Sequence, residues 1–146
     1  MPVMFRTTAF SLLLLLFQAA QTTPPPPADA AKKVFDQLQG SWLAVSLNGQ
    51  DMPGGLEMAL TFTDQKYENW VNGSLDERGT VKIDPSTKPA SIDFVITEGT
   101  DAGQTQLGLV EVNGDSLILS FARPGNPTRP KTPADAELYA VLRKKK

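Results

Sequence analysis

Carboxylates are the only side chains in this sequence able to do acid–base chemistry near neutral pH, because it contains no histidine and no cysteine. Without imidazole there is no Ser-His or Cys-His pair and no preferred transition-metal ligand. Without a thiol there is no disulfide, thiolate nucleophile, zinc-thiolate site or lipid-modified cysteine. What remains is a glycosidase-like pair, which Asp93 and Glu111 could form if they faced one another across neighbouring strands. Exposed strand carboxylates ordinarily serve solubility, so no catalytic residue is expected and hydrolysis ranks last among the functions considered. Glu98, Asp101 and Asp115 fall in glycine-bearing turns where oxygen ligands could surround Ca²⁺. No Asp-x-Asp-x-Asp-Gly loop is present, so these acids read as turn formers, and neither a metal nor a cofactor is expected. Asn72-Gly73-Ser74 spells a glycosylation sequon, whereas Pro127 disqualifies the match at Asn126 to Thr128.

The remaining chemistry is that of apolar binding. Phe62, Tyr67, Trp70, Phe94 and Phe121 could line an interior that takes a small apolar molecule, or could fill it. Which of the two holds depends on the elements that carry them.

Those elements are predominantly strands. Expected strands are residues 42–47, 58–63, 66–71, 77–84, 91–97, 104–112, 116–122 and 138–143, with turn signals about every ten residues. In the second of these, Met58, Leu60 and Phe62 alternate with Ala59, Thr61 and Thr63; Ile92, Phe94 and Ile96, then Leu107 and Leu109, then Leu117, Leu119 and Phe121 mark the inward faces of later strands. Asn48-Gly49, Asn72-Gly73 and Asn113-Gly114 are strong hairpin turns. Eight sequential strands joined mostly by short turns favour an antiparallel up-and-down meander, and closing it into a barrel removes both exposed edges. The expected fold is therefore an all-β, eight-stranded barrel, with a two-sheet sandwich as the alternative. A short helix over residues 30–38, capped by Asp29 and carrying Val34, Phe35 and Leu38 on one face, is expected to plug one end.

Ahead of it lie a signal peptide and a linker. Arg6 precedes an apolar run from Ala9 through Leu12 to Leu16 and Phe17, followed by Ala19 and Ala20, so residues 1–21 read as an export segment, and the run itself is too short to span a bilayer. Residues 22–29, with Pro24 to Pro27, form an extended spacer, leaving residues 30–146 as one domain. The formal net charge is −2, and loss of Arg6 would make it about −3, which argues against nucleic acid as a partner. The expected product is a soluble monomer, periplasmic or secreted, without a membrane anchor.

Leu38-Gln39-Gly40-Ser41-Trp42 opening the first strand resembles the Leu-Gln-Gly-Thr-Trp start of a family of exported bacterial proteins of unknown function, abundant in planctomycetes and described as lipocalin-like or calycin-like. The turn Asn48-Gly49, the pairs Thr61-Phe62 and Lys66-Tyr67, and the stretch from Gly79 through Lys82 to Asp84-Pro85 resemble its further motifs, as do Lys88-Pro89, Ile92-Asp93, Glu98-Gly99, Gly103, the turn from Asn113 to Leu117, and Arg123-Pro124-Gly125. The likeness extends over residues 38–144. It departs after Arg129-Pro130, where the family often has an aromatic and this chain has Lys131 and Thr132. The resemblance implies a lipocalin-like barrel, in which Gly40, Trp42 and Arg143 match the Gly-x-Trp opening and terminal basic residue of true lipocalins. Arg143 is accordingly expected to stack on Trp42 and tie the last strand to the first. Two functions follow as expectations: a carrier of a small apolar ligand, or an extracytoplasmic module with a filled interior that presents residues 50–56 and 123–137 to an envelope protein.

Overall fold

A computed structural model describes residues 28–146; the expected export segment and nearly all of the linker lie outside them. An 11-residue helix, α1 (Ala28–Leu38), leads into nine strands: β1 (Gly40–Leu47), β2 (Gln50–Asp51), β3 (Met58–Thr63), β4 (Lys66–Val71), β5 (Ser74–Asp84), β6 (Ala90–Glu98), β7 (Thr105–Asn113), β8 (Ser116–Phe121) and β9 (Leu138–Lys144). Every neighbouring pair is antiparallel, and β9 returns to pair with β1, Trp42 facing Lys144 and Ala44 facing Leu142. Eight strands thus close into an up-and-down barrel. The two-residue β2, folded back on the end of β1, stands outside the ring. The sandwich alternative is excluded by the β1–β9 pairing.

The turns explain the connectivity. Asn48 and Gly49 (φ 49° and 80°) and Asn72 and Gly73 (49° and 81°) occupy the left-handed region that two-residue hairpin turns require, and Asn and Gly enter it at low cost. The helix begins at Ala28, so Asp29 lies inside its first turn and not ahead of it, where its charge still complements the helix dipole.

Leu38 is fully buried, and Val34 and Phe35 pack with it against the barrel core, so α1 closes the end at which β1 begins. Trp42, also fully buried, donates from Nε1 to the Leu38 carbonyl at 2.8 Å. The cation at this closure is Lys144, not Arg143. Lys144 Nζ sits 4.8 Å from the Trp42 ring centre and donates to the Gln39 carbonyl at 2.6 Å. Strand parity decides between them: Lys144 is opposite Trp42 on the inner face, whereas Arg143 is opposite Leu43 on the outer face and is exposed. Gly40 (φ 107°) leaves the space; a Cβ there would lie 3.3 Å from Lys144 Cε.

Inside, Phe94 is the hub. Tyr67 and Phe121 meet it edge-on at 4.6 and 4.9 Å between ring centres, and Phe62 lies 6.2 Å away. Gly108 makes this possible, because a Cβ at that position would collide with the Phe121 ring and lie 2.6 Å from the Ser120 carbonyl. Gly108 also marks a correction to the expected face of β7. Its register puts Gln106 opposite Phe94 and Gly108 opposite Ile92, so Gln106, Gly108 and Val110 point inward while Leu107 and Leu109 point outward. Leu109 is nevertheless only 4% exposed, and Ser120, its neighbour on the outer face, 1%.

The cover over this outer wall comes from residues 123–137. Arg129 donates through Nη1 to the carbonyls of Gly108 (2.9 Å) and Ile92 (3.2 Å), and through Nη2 to Asp93 Oδ1 (2.6 Å). Pro130 beside it is buried. Further along, Glu137 Oε2 accepts from the Arg123 amide and from Asn126 Nδ2, each at 2.9 Å, after a 3₁₀ turn at Pro133–Asp135. The segment is thus anchored to the barrel through Arg129 and Glu137, while Thr128, Lys131 and Thr132 within it stay exposed.

Candidate functional site

At the end away from α1 the barrel interior is not filled. A cavity of about 110 Å³ lies among the side chains of the core, its inner wall formed by Leu60, Tyr67, Phe94, Leu119, Phe121 and Leu142. Its rim is drawn from strand ends: Leu47 closing β1, Met58 opening β3 and Leu138 opening β9, each partly exposed. Strand alternation aims these residues at one volume, because all eight strands point alternate side chains into the closed ring.

Three amide or carboxyl side chains interrupt the apolar lining: Asn69, Glu77 and Gln106. Asn69 and Glu77 face each other across β4 and β5, next to a bulge in which Leu75 and not Asp76 pairs with Trp70. The bulge gives β5 one additional residue here, which turns Asp76 to the exposed side. Tyr67 Oη donates to Glu77 Oε1 at 2.8 Å. Gln106 Nε2 donates to the Ala122 carbonyl at 3.0 Å, which fixes that amide and leaves its own carbonyl oxygen free to accept.

Burial pushes the Glu77 carboxyl above the usual carboxylate range; the Tyr67 hydrogen bond works against that shift, and the nearby charges of Asp101 and Asp76 add to it. Burial, then the Glu77 acceptor, raises Tyr67 well above an ordinary phenol, so it stays a donor at any physiological pH. Among the described residues no ion pair involves Glu77. Arg78, next in sequence, points to the outer wall and is shared by Glu68 (2.9 Å) and Glu98 (3.5 Å).

Of the aromatics expected to line an interior, Tyr67, Phe94 and Phe121 form its wall. Phe62 is buried deeper, in the core. Trp70 is not in the cavity: β4 pairs it with Ala59 and alternates it with inward Asn69, so it is half-buried on the outer face beside Leu75. Gly40 and Trp42 sit at the closed end and Arg143 outside. The acids Asp93 and Glu111 are not brought together. Asp93 is opposite Leu107 and Glu111 opposite Ile118, four positions apart along β7, or roughly 13 Å at strand rise. Asp93 is held by Arg129. Glu98 and Asp101 lie at the open end, whereas Asp115 lies at the helix end, where Lys146 approaches it at 3.9 Å. Among the described residues no group of three acids is placed to hold a metal.

Glu77 was accessible to sequence reasoning, since it shares parity with Gly79, Val81 and Ile83, which the structure also turns inward. Gln106 was not, because Leu107 and Leu109 made the opposite face look like the inner one. No family model matches the chain, and no curated protein or solved structure matches it either. Among the described residues no helix is long and apolar enough to cross a membrane.

Proposed function

We propose that this chain is a non-catalytic, exported binding domain that takes a small, largely apolar molecule into the open end of its barrel. The observation that carries this reading is the cavity of about 110 Å³, walled by Leu60, Phe94, Leu119 and Phe121 and reached past Leu47, Met58 and Leu138. A somewhat larger dry cavity, of about 150 Å³, accommodates benzene, so the enclosed part of the ligand amounts to roughly four to six non-hydrogen atoms. The rest of a longer molecule would extend past the rim. The lipocalin-like resemblance of residues 38–144 agrees with a carrier, and the apolar run in residues 9–17 with export to a periplasmic or secreted location. The alternative, an envelope-protein module with a filled interior, fits this end of the barrel less well, because its inward positions leave space and the segment 123–137 is bonded to the wall.

The test is a titration with benzene, indole and n-pentanol followed by amide and methyl NMR shifts. Saturable shifts centred on Leu60, Leu119 and Ala140 are expected. They should vanish in Ala140→Phe, which places a ring in the cavity while thermal unfolding reports that the barrel remains folded. Failure of every probe to give saturable shifts in the native protein would overturn the reading.

A further inference from the structure

Among the described residues Glu77 is the only carboxylate lining the cavity, and none of them gives it a cationic partner. One of its oxygens accepts from Tyr67, and the other accepts no hydrogen bond within the described residues. A half-buried carboxylate in such a place loses part of its hydration without gaining a compensating charge, and the neighbouring Asp76 and Asp101 deepen the negative potential at this end. Around it the unspent acceptors are three side-chain oxygens, beside the amide N–H groups of Asn69 and the second N–H of Gln106. Glu77 Oε2, the Asn69 side-chain oxygen and the Gln106 side-chain oxygen are acceptors, the last oriented by the bond from its Nε2 to Ala122. The aromatic wall of Tyr67, Phe94 and Phe121 presents ring faces and edges but no donor other than the Tyr67 hydroxyl, which Glu77 already uses.

We propose that the cavity selects a small organic cation, a primary ammonium on a short apolar body, with the ammonium against Glu77 and the body among Tyr67, Phe94 and Phe121. The inference rests on the binding reading above and narrows it to one ligand chemistry. A primary ammonium carries three N–H donors, which match the three acceptors, and its charge supplies the counter-ion that Glu77 lacks. Its apolar body replaces water in the inner cavity, and the rings favour a cation near their faces. A carboxylate ligand of the same shape meets like charge at the mouth, and a neutral alcohol offers one donor in place of three.

Isothermal titration at pH 7 with n-pentylammonium, n-pentanol and pentanoate, chosen for equal length, tests it on the full chain and on Glu77→Gln. The ammonium is expected to bind about tenfold or more tighter than the alcohol, with pentanoate weakest. Glu77→Gln should erase the preference for the ammonium, read as the ratio of ammonium to pentanol affinity within the variant itself. Equal binding of ammonium and alcohol by the native protein, or an ammonium preference that survives in Glu77→Gln, would overturn the cation inference while the apolar binding reading stands. If none of the three ligands binds, both fall. Should Glu77→Gln not fold, the ratio of ammonium to alcohol affinity in the native protein decides alone.

Discussion

Replacing Lys144 should weaken the barrel, and replacing Arg143 should not, although the two are adjacent and both are basic. Lys144 donates a charge-assisted hydrogen bond to the Gln39 carbonyl at 2.6 Å and sits 4.8 Å from the centre of the Trp42 ring. A hydrogen bond from a charged donor contributes about 1.5–3 kcal/mol, and a partly desolvated cation–π contact about 0.5–2 kcal/mol. Ordering a lysine side chain costs up to about 2 kcal/mol, which at full cost leaves a net contribution of about 0–3 kcal/mol, centred on about 1.5 kcal/mol. Lys144→Met keeps much of the stem and isolates the ammonium, so it should cost that amount; Lys144→Ala should cost about 1 kcal/mol more through lost packing. Arg143 is exposed, opposite Leu43 and Ser116 on the outer face, and Arg143→Ala should change stability by no more than about 0.5 kcal/mol. Urea unfolding followed by circular dichroism measures both. In a Trp70→Phe background the remaining indole, Trp42, also reports by fluorescence whether the closed end has opened. An Arg143→Ala cost equal to or greater than that of Lys144→Met would refute the assignment of closure to Lys144.

Two further substitutions probe the outer wall and the cavity. Arg129→Ala removes two bonds to the Ile92 and Gly108 carbonyls and the pair with Asp93, whose side chains are 30% and 27% exposed, and should cost about 2–3 kcal/mol after allowance for that exposure. Limited proteolysis should then cut within residues 123–137 faster than in the native protein, and Arg129→Lys should restore only part of the protection, since it lacks the fork; unchanged cleavage would show that the segment is held by other contacts. Glu77→Gln tests the buried carboxyl through pH. A carboxyl raised in the folded state contributes stability that is present below its unfolded value of about 4.3 and is lost as pH rises through the folded one. The variant should therefore gain stability relative to the native protein between pH 4 and pH 7 in denaturant titrations, and a difference that does not change with pH would contradict the burial argument.

What could be read in the chain and what could not separate along a physical line. Strands over Met58–Thr63 and Lys66–Val71 were legible to the residue, because turn residues at Asp64-Gln65 and Asn72-Gly73 delimit them and turn geometry sets the register between them. The face of β7 was not legible. Its run Leu107 to Val112 is apolar at both parities, and which set is inner depends on Arg129 and Pro130, some twenty residues later in the chain, covering the other. The closing cation failed for a similar reason: Arg143 and Lys144 differ by one position, and only the β1–β9 register says which of them meets Trp42. Trp70 misled because a large aromatic in a strand suggests burial, whereas its parity follows from Asn69 and the hairpin at Asn72-Gly73. In each case local pattern determined that there is a strand, and a distant segment determined its inner side.

The same logic bears on why the barrel is open at one end. At the helix end the inward positions are Trp42, Ile92, Val110, Leu117 and Leu142, which bury apolar surface against Leu38 and close the core. At the other end three inward positions, on β4, β5 and β7, carry Asn69, Glu77 and Gln106. Leucine or isoleucine at these places would extend the packing already established by Leu60, Phe94 and Phe121 and would remove the desolvation cost of a carboxyl without a counter-ion. Stability alone therefore asks for a different sequence here than the one present. Departures of this kind, clustered at one end of a barrel whose other described inward positions are apolar apart from the closing Lys144, are the kind a protein keeps where recognition matters more than core energy. Polar inward residues and a cavity occur at the same end because side chains that keep their acceptors accessible to solvent or ligand cannot also fill the space, so the vacancy and its acceptors are one feature.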